Sequence, residues 1–190
     1  MINIDEFFED GELSSLLKPK LDPWIGSNFE GYHSIDVKSK GIFGEHFVSK
    51  IMEKKGSQVC QRINSSHDRM IDGYKTEIKF SLSQKKNKFL FNHIACHKDW
   101  ERIILLGVNP NNHVRMNWIY KEDFIKNIQS ENCVFNHQQG GEKGKNDDFM
   151  FSSEYSKLEN TGILNSMDVW LKMNMWLKDE KKKTGIELWI

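Results

Sequence analysis

Residues 67–79 run His67-Asp68-Arg69-Met70-Ile71-Asp72-Gly73-Tyr74-Lys75-Thr76-Glu77-Ile78-Lys79 and predict a tight β-hairpin. An Asp-Gly pair between two short mixed runs is a strong local signal for a two-residue turn, which places the turn at Asp72-Gly73. With that turn, Arg69 pairs with Thr76, and Asp68 lies directly across from Glu77. Opposed side chains in such a ladder have Cβ atoms about 4.5 to 5.5 Å apart. The sequence therefore predicts two carboxylates that face each other across the hairpin.

Facing carboxylates on a hairpin indicate a divalent cation. The alternation of side chains along a strand predicts that Glu77, Lys79 and Ser81 share one face, and that Ile78, Phe80 and Leu82 share the other. Two like charges placed opposite each other destabilise a sheet unless a positive charge lies between them, and Mg²⁺ prefers oxygen ligands. Lys79 would then orient a water molecule while the cation stabilises charge on a phosphate. The plain alternative is an exposed hairpin of mixed charge.

A helix is predicted over residues 40–56, just before the hairpin. Its apolar residues repeat at helical spacing, and it ends with a lysine pair and Gly56, as helix C-termini often do. Glu45 lies at the border of the apolar face, where a carboxylate is costly unless it has a partner. We therefore expect Glu45 to be a further metal or water ligand near the hairpin. The alternative is an ordinary boundary glutamate that pairs with a lysine.

Residues 40–110 resemble the PD-(D/E)XK nuclease superfamily. The resemblance is carried by the helical sequence Gly-Ile-Phe-Gly-Glu-His-Phe-Val at 41–48, a short strand ending near Cys60, and the Asp-bearing hairpin with Glu-Ile-Lys-Phe-Ser at 77–81. It implies an α/β fold with a mixed central β-sheet flanked by helices, in a restriction-endonuclease-like core. It also implies magnesium-dependent hydrolysis of nucleic acid.

The resemblance further implies a role for each residue. Asp68 is similar to the first-strand aspartate that ligates the metal, Glu77 to the second ligand, and Lys79 to the motif lysine. Glu45 is similar to the acidic residue that many members carry on the first helix, and the carbonyl of Ile78 is a third oxygen donor.

His67 and Asp72 also lie in the hairpin sequence. His67 stands where the name of the motif has proline. Asp72 is a rival for the first aspartate, although its place in the turn points it away from Glu77.

Basic residues cluster around this motif although the whole chain is neutral, with 27 basic and 27 acidic residues. From Lys75 to Lys98 there are six lysines and one acid, so the local charge is +5. Phosphate contacts need such local clusters, and Gln and Asn can read adenine edges. We expect double-stranded DNA to contact Lys38, Lys40, Ser81, Lys85, Lys86, Lys88, Asn92, Gln138, Gln139, Lys143 and Lys145. A mobile solvent loop over 137–148 is the alternative for the last four.

The rest of the chain predicts one domain over residues 1–190. A helical arm occupies 1–25, the catalytic core 40–110, and C-terminal additions 111–190. Strands are expected at 89–94, 102–108 and 113–120, and helices at 122–128 and 163–178. The last helix packs on the core or forms a homodimer interface, because an enzyme that cuts both strands of a palindrome commonly needs two copies of its site.

The cysteines Cys60, Cys96 and Cys133 are odd in number and widely spaced, which predicts buried thiols in a reducing cytoplasm rather than disulfides. No run is apolar enough for a membrane span. A competing metal site would be a structural zinc held by His93, Cys96, His97, Cys133 and His137, although the spacing is loose. A nuclease centred on His113 is a weaker alternative.

These observations predict a magnesium-dependent endodeoxyribonuclease, with Mn²⁺ as a substitute cation. A compact single domain with no helicase or ATPase partner most resembles a type II restriction endonuclease. The alternatives are a Holliday-junction-resolving or DNA-repair nuclease with the same core, and a catalytically inactive nucleic-acid-binding module.

Overall fold

The computed structural model describes residues 23–62, 64–84, 87–110, 114–138 and 148–166. Most of the helical arm predicted at 1–25, the loop residues 139–147, and the predicted helix beyond residue 166 lie outside the described residues. The described elements are a 3₁₀ turn (Tyr32–Ser34), α1 (Val37–Lys54), β1 (Val59–Gln61), β2 (Arg69–Ile71), β3 (Tyr74–Leu82), β4 (Lys88–Ala95), β5 (Arg102–Val108), β6 (Val114–Tyr120), α2 (Lys121–Ile128), β7 (Asn136–His137), β8 (Asp148–Glu154), α3 (Tyr155–Glu159) and β9 (Asn165–Ser166).

The main sheet is mixed and has six strands in the order β1-β2-β3-β5-β6-β9. β3 and β5 are parallel, and the other neighbours in this sheet are antiparallel. A second, antiparallel sheet has the order β4-β8-β7. The structure therefore confirms a mixed α/β class with a multi-stranded central sheet.

The central sheet is covered on both faces, but by different kinds of element. The residues of β3 and β5 that face α1 share a core with Phe47, Val48 and Ile51 of that helix. The opposite core joins β5 and β6 to the second sheet and to α2 and α3. All seven residues of β5 are buried, as expected for a strand packed on both faces. The prediction of helices around the sheet is thus incomplete, since one face is covered largely by a second sheet.

Helix α1 begins three residues earlier than the sequence pattern indicated. Asp36 is its N-cap, and the Asp36 carboxylate accepts a hydrogen bond from the Ser39 N–H at 2.9 Å. Such a cap satisfies one of the N–H groups that the first turn of a helix leaves without a partner. The start predicted at Lys40 was wrong because the signal at Asp36 was overlooked.

Two glycines allow both layers to approach the central sheet closely. A Cβ atom at Gly44 of α1 would lie 2.5 Å from Cβ of Phe80 in β3. A Cβ atom at Gly107 of β5 would lie 2.7 Å from Cε1 of Phe89 in β4. The helix and the second sheet can therefore pack at these distances only because both positions have no side chain.

Several local predictions need correction. His137 and Asp148, which were assigned to a loop, belong to β7 and β8, and the sequence analysis missed β8 and α3 entirely. Asn165 and Ser166 pair with β6 as β9, so the described part of the helix predicted at 163–178 is not helical. Cys60 is exposed and the other two cysteines are half-buried, although none of the three forms a disulfide. Within the described residues, no helix is long and apolar enough to cross a membrane.

The two glycines of α1 provide a matched test of this packing. Gly44→Ala should lower the free energy of unfolding by about 1 to 3 kcal/mol, because its new methyl group has no room against β3. Gly41→Ala should raise it by about 0.5 to 1 kcal/mol, because nothing lies within 4 Å of its Cβ position and alanine favours helix. Urea unfolding of both variants measures the difference, and equal stability changes would contradict the close approach of α1 to β3.

Candidate active site

The hairpin has the predicted turn and the predicted register from Arg69 to Thr76, but the ladder ends there and does not include the predicted pair of Asp68 with Glu77. Asp72 and Gly73 both have positive φ angles, 51° and 82°, as a two-residue type I′ turn requires. Ile71 pairs with Tyr74 and Arg69 pairs with Thr76. The Asp72 carboxylate accepts a hydrogen bond from the Gln58 N–H at 2.9 Å. Asp72 is therefore used to tie the turn to the segment before β1, and it is not a rival for the metal-ligand position.

Asp68 lies one residue before β2 begins, outside the regular pairing of the hairpin. Its N–H donates to the carbonyl of Thr76 at 3.0 Å, and its carboxylate accepts a hydrogen bond from the Ile78 N–H at 2.7 Å. The side chain of Asp68 thus takes the place of a backbone acceptor beside β3. This arrangement keeps its carboxylate next to the segment that carries Glu77 and Lys79.

Glu77 and Lys79 form an ion pair on β3. Lys79 Nζ lies 2.8 Å from Oε1 of Glu77, whose side chain is only 2% exposed. Oε2 of Glu77 is buried and has no hydrogen-bond partner among the described residues. A buried carboxylate oxygen without a partner is costly, so this atom is a vacant acceptor for a cation or a donor group.

Glu45 of α1 pairs with an arginine of the hairpin. The alternative interpretation, an ordinary boundary glutamate, predicts a lysine as its partner. Arg69 Nη1 donates to Oε2 of Glu45 at 2.7 Å and also to the carbonyl of Asp68 at 2.7 Å. The ion pair ties α1 to the hairpin next to Asp68. The structure thus brings Glu45 to the predicted site, although one of its oxygens is already engaged.

The acidic groups influence one another through their charges. The pKa of Asp68 is raised to about 6, mainly by burial and next by the nearby charge of Glu77. Glu45 raises this pKa further, whereas the Ile78 N–H and the Lys79 ammonium lower it. Burial is thus the main reason that ionisation of Asp68 is costly, and the charges of Glu77 and Glu45 add to that cost.

A cleft of about 400 Å³ opens at this cluster. Its lining includes Glu45, Asp68, Ile78 and Lys79, together with Tyr32, Lys40, Asn92 and His93. Glu77 does not line the cleft, because its side chain is buried behind Lys79. The cleft thus exposes Asp68 of the hairpin, Glu45 of α1 and the motif lysine, Lys79.

The chemistry of the site fits a divalent cation. A cation near Asp68 and Glu77 would satisfy the orphan oxygen of Glu77 and offset the burial and the repulsion that raise the pKa of Asp68. Within the described part of the chain, however, no three His, Cys, Asp or Glu side chains form a ready metal cage. The site would need two carboxylates and a backbone oxygen rather than three acidic side chains. Among the described residues, the side chains of His93, Cys96, His97, Cys133 and His137 do not come together as the alternative zinc site either. His113 lies outside the described residues.

The predicted DNA-binding residues fall into three groups. Lys40 and Asn92 line the cleft, while Lys38 and Lys88 are exposed on α1 and β4. Ser81 is buried, and its hydroxyl accepts a hydrogen bond from the Leu90 N–H at 3.0 Å, so Ser81 joins the two sheets instead of facing DNA. Gln138 bonds to His93 beside the cleft. Lys85, Lys86, Gln139, Lys143 and Lys145 lie outside the described residues.

The sequence analysis missed Arg102, which supports the hairpin from β5. The Arg102 side chain is buried, with Nη2 donating to the Ile71 carbonyl at 2.7 Å and Nε donating to the Thr76 hydroxyl at 3.2 Å. Its guanidinium also lies over the ring of Tyr74 at 4.6 Å. An arginine at the start of an apolar strand was the available signal, because a buried charge needs partners.

Comparison with known proteins adds no assignment. No protein-family model matches the chain, and no curated protein matches it. Function must therefore be argued from the site itself.

The repulsion at Asp68 predicts a pH-dependent effect of Asp68→Asn. Because the folded-state pKa of about 6 exceeds the usual 3.8, the folded protein binds this proton more tightly than the unfolded chain. The contribution of Asp68 to stability is thus full at low pH and falls as pH rises from 3.8 to about 6. The variant removes the charge, so its free energy of unfolding should exceed that of the wild type by on the order of 2 kcal/mol at about pH 8 and by little at about pH 3.5.

Urea unfolding in EDTA at the two pH values measures this effect. A stability change of equal size at both values would show that Asp68 does not carry the repelling charge.

Proposed function

We propose that this protein is a magnesium-dependent endodeoxyribonuclease of the PD-(D/E)XK type that cuts double-stranded DNA. The observation that carries the proposal is the cluster of Glu45, Asp68, Glu77 and Lys79 around one hairpin, in which Glu45, Asp68 and Lys79 line a cleft and the buried Glu77 pairs with Lys79. These side chains come from a helix and a β-hairpin that the sequence separates by up to 34 positions. Acids and a lysine arranged in this way are suited to phosphodiester hydrolysis.

The cation would be held by the carboxylates of Asp68 and Glu77 and by the Ile78 carbonyl. The Glu45 carboxylate, which is paired with Arg69, would bind water beside the cation. When bound, Mg²⁺ or Mn²⁺ supplies positive charge to the phosphate and favours ionisation of water. Glu77 fixes the position of the Lys79 ammonium through their 2.8 Å contact. Lys79 in turn orients the attacking water and stabilises the charge that develops on the phosphate.

Fixed hydrogen bonds give the site the rigidity that this chemistry needs. The Ile78 N–H holds the Asp68 carboxylate, and Arg69 holds Glu45. Both bonds orient acidic groups before any substrate arrives, which lowers the cost of reorganisation during the reaction. In this account Arg69 is a positioning residue.

Positive side chains near the cleft are suited to the DNA backbone. Lys40 lines the cleft. The exposed Lys38 and Lys88 lie on α1 and β4, and both of these elements contribute residues to its lining. Since the whole chain has a net charge of zero, attraction of DNA would depend on such local groups. A homodimer would present one such site to each strand, and this pairing is typical of a type II restriction endonuclease.

Lys79→Ala tests the proposal, with Lys75→Ala as the matched control. Lys75 lies on the same strand, but its ammonium pairs with Asp99 at 2.6 Å and does not line the cleft. Lys79→Ala should reduce kcat for cleavage of plasmid DNA by at least about 100-fold and leave DNA binding nearly unchanged, whereas Lys75→Ala should cleave normally. Circular dichroism checks that both variants fold.

The pattern of products identifies the kind of nuclease. Discrete plasmid fragments in magnesium are expected for a restriction endonuclease, whereas selective cutting of branched DNA would indicate a junction-resolving enzyme. Full activity in Lys79→Ala, or no cleavage of either substrate by the wild type, would contradict the proposed function.

A further inference from the structure

A β-bulge in the second sheet lies beside the candidate active site. Phe91 pairs with Phe151 and Ile94 pairs with Phe149, so Asn92 and His93 together stand opposite the single residue Met150. A bulge of this kind turns the side chains of one strand in a new direction, and bulges are frequent next to active sites. Here it interrupts an otherwise regular ladder at the two residues of β4 that line the cleft.

The strand that carries the bulge passes beside the strand that carries the motif lysine. The Leu90 N–H donates to the Ser81 hydroxyl, and the Gln84 N–H donates to the Lys88 carbonyl at 2.6 Å, so β4 runs back over the end of β3. The bond places Leu90 of β4 beside Ser81 of β3. Asn92 is two residues after Leu90 and Lys79 is two residues before Ser81, so these two residues lie level with each other. Both residues line the same cleft, together with His93.

His93 has a backbone conformation that does not suit its side chain. Its φ angle is 54°, in the left-handed region that glycine adopts without strain and that other residues rarely occupy. Gln138 holds this conformation, because its Oε1 accepts a hydrogen bond from the His93 N–H at 2.8 Å. Glycine would adopt this φ angle more easily, so the histidine is retained at the bulge for its side chain.

The imidazole is accessible and oriented. The His93 side chain is 64% exposed, and Nδ1 lies 3.5 Å from Oδ2 of Asp148. Nε2 of Gln138 lies 3.2 Å from Nδ1 and 3.1 Å from Nε2 of the same ring. Strained backbone that is held by its neighbours, at an accessible residue that lines a cleft, is typical of sites that bind ligands.

We propose that His93 contacts the DNA backbone in the cleft, with its imidazole binding a phosphate beside the one that is cut. The inference rests on the proposed function for the class of ligand, and it adds a binding residue that the carboxylate and lysine motif does not contain. A phosphate is the expected partner because His93 lines the same cleft as Lys79, where the reacting phosphate would lie. Asn92, on the same bulge, accompanies it along the backbone.

The test compares His93→Gly with His97→Gly, which removes another exposed histidine just after β4. Binding of two fluorescently labelled duplex oligonucleotides of unrelated sequence is measured by anisotropy in Ca²⁺, a hard cation that takes oxygen ligands. His93→Gly should weaken binding of both duplexes about tenfold, since a phosphate contact does not depend on sequence, and His97→Gly should bind as the wild type does.

Thermal unfolding separates a binding role from a structural one. His93→Gly should unfold at the same temperature as the wild type or at a higher one, because glycine relieves the strain at this φ angle. His93→Asn provides a second variant, since asparagine tolerates the left-handed region and lacks the ring. Loss of stability in both variants, with binding of the folded fraction unchanged, would overturn the inference.

The outcomes also separate this inference from the proposed function. If the wild type cleaves plasmid DNA and the two glycine variants bind equally well, the role of His93 is wrong and the nuclease proposal stands. If nothing is cleaved but binding falls only in His93→Gly, the role of His93 is supported and the nuclease proposal fails. If the wild type binds neither duplex, both are wrong.

Discussion

The two-residue turn at Asp72 and Gly73 is the constraint on which the site depends. Both residues adopt positive φ angles, so the strands on either side pair without an extra residue. A shift of one residue would turn every side chain of β3 to the other face and separate Asp68 from Glu77 and Lys79. Gln58 holds the turn from one side and Arg102 holds the hairpin from the other. The geometry of the acidic cluster is thus fixed by backbone chemistry outside the cleft.

The second constraint is electrostatic. Three carboxylates meet at the hairpin, and Arg69 and Lys79 each pair with one of them. Asp68 has only the Ile78 N–H, and its raised pKa shows that this bond does not offset burial and the neighbouring acids. A protein that needed only a stable hairpin would gain by losing one acid. Three carboxylates with two cationic partners leave one negative charge in the cluster, and the proposed cation would neutralise it.

The sequence alone predicted the parts of the fold that depend on local chemistry. The Asp-Gly turn determined the hairpin register, and an unbroken apolar run identified β5, whereas the pairing of β4 with β8 was hidden because those strands are far apart in sequence. For the site, the sequence indicated which residue types could take part, and the alternation of side chains along a strand indicated which of them share a face. The ion pair of Arg69 with Glu45 and the bulge at His93 depend on how α1 and the second sheet pack, which no local pattern specifies.

Binding of Mn²⁺, followed by its electron paramagnetic resonance signal, tests the central claim most directly. Manganese takes the same oxygen ligands as magnesium, and its free-ion signal falls when it binds to protein. The account predicts saturable binding to the wild-type protein that is lost in Glu77→Gln and retained in Glu101→Gln, a change to an exposed acid away from the cleft. A wild-type protein that leaves the free Mn²⁺ signal unchanged, or equal binding by both variants, would contradict the claim that these carboxylates form a metal centre.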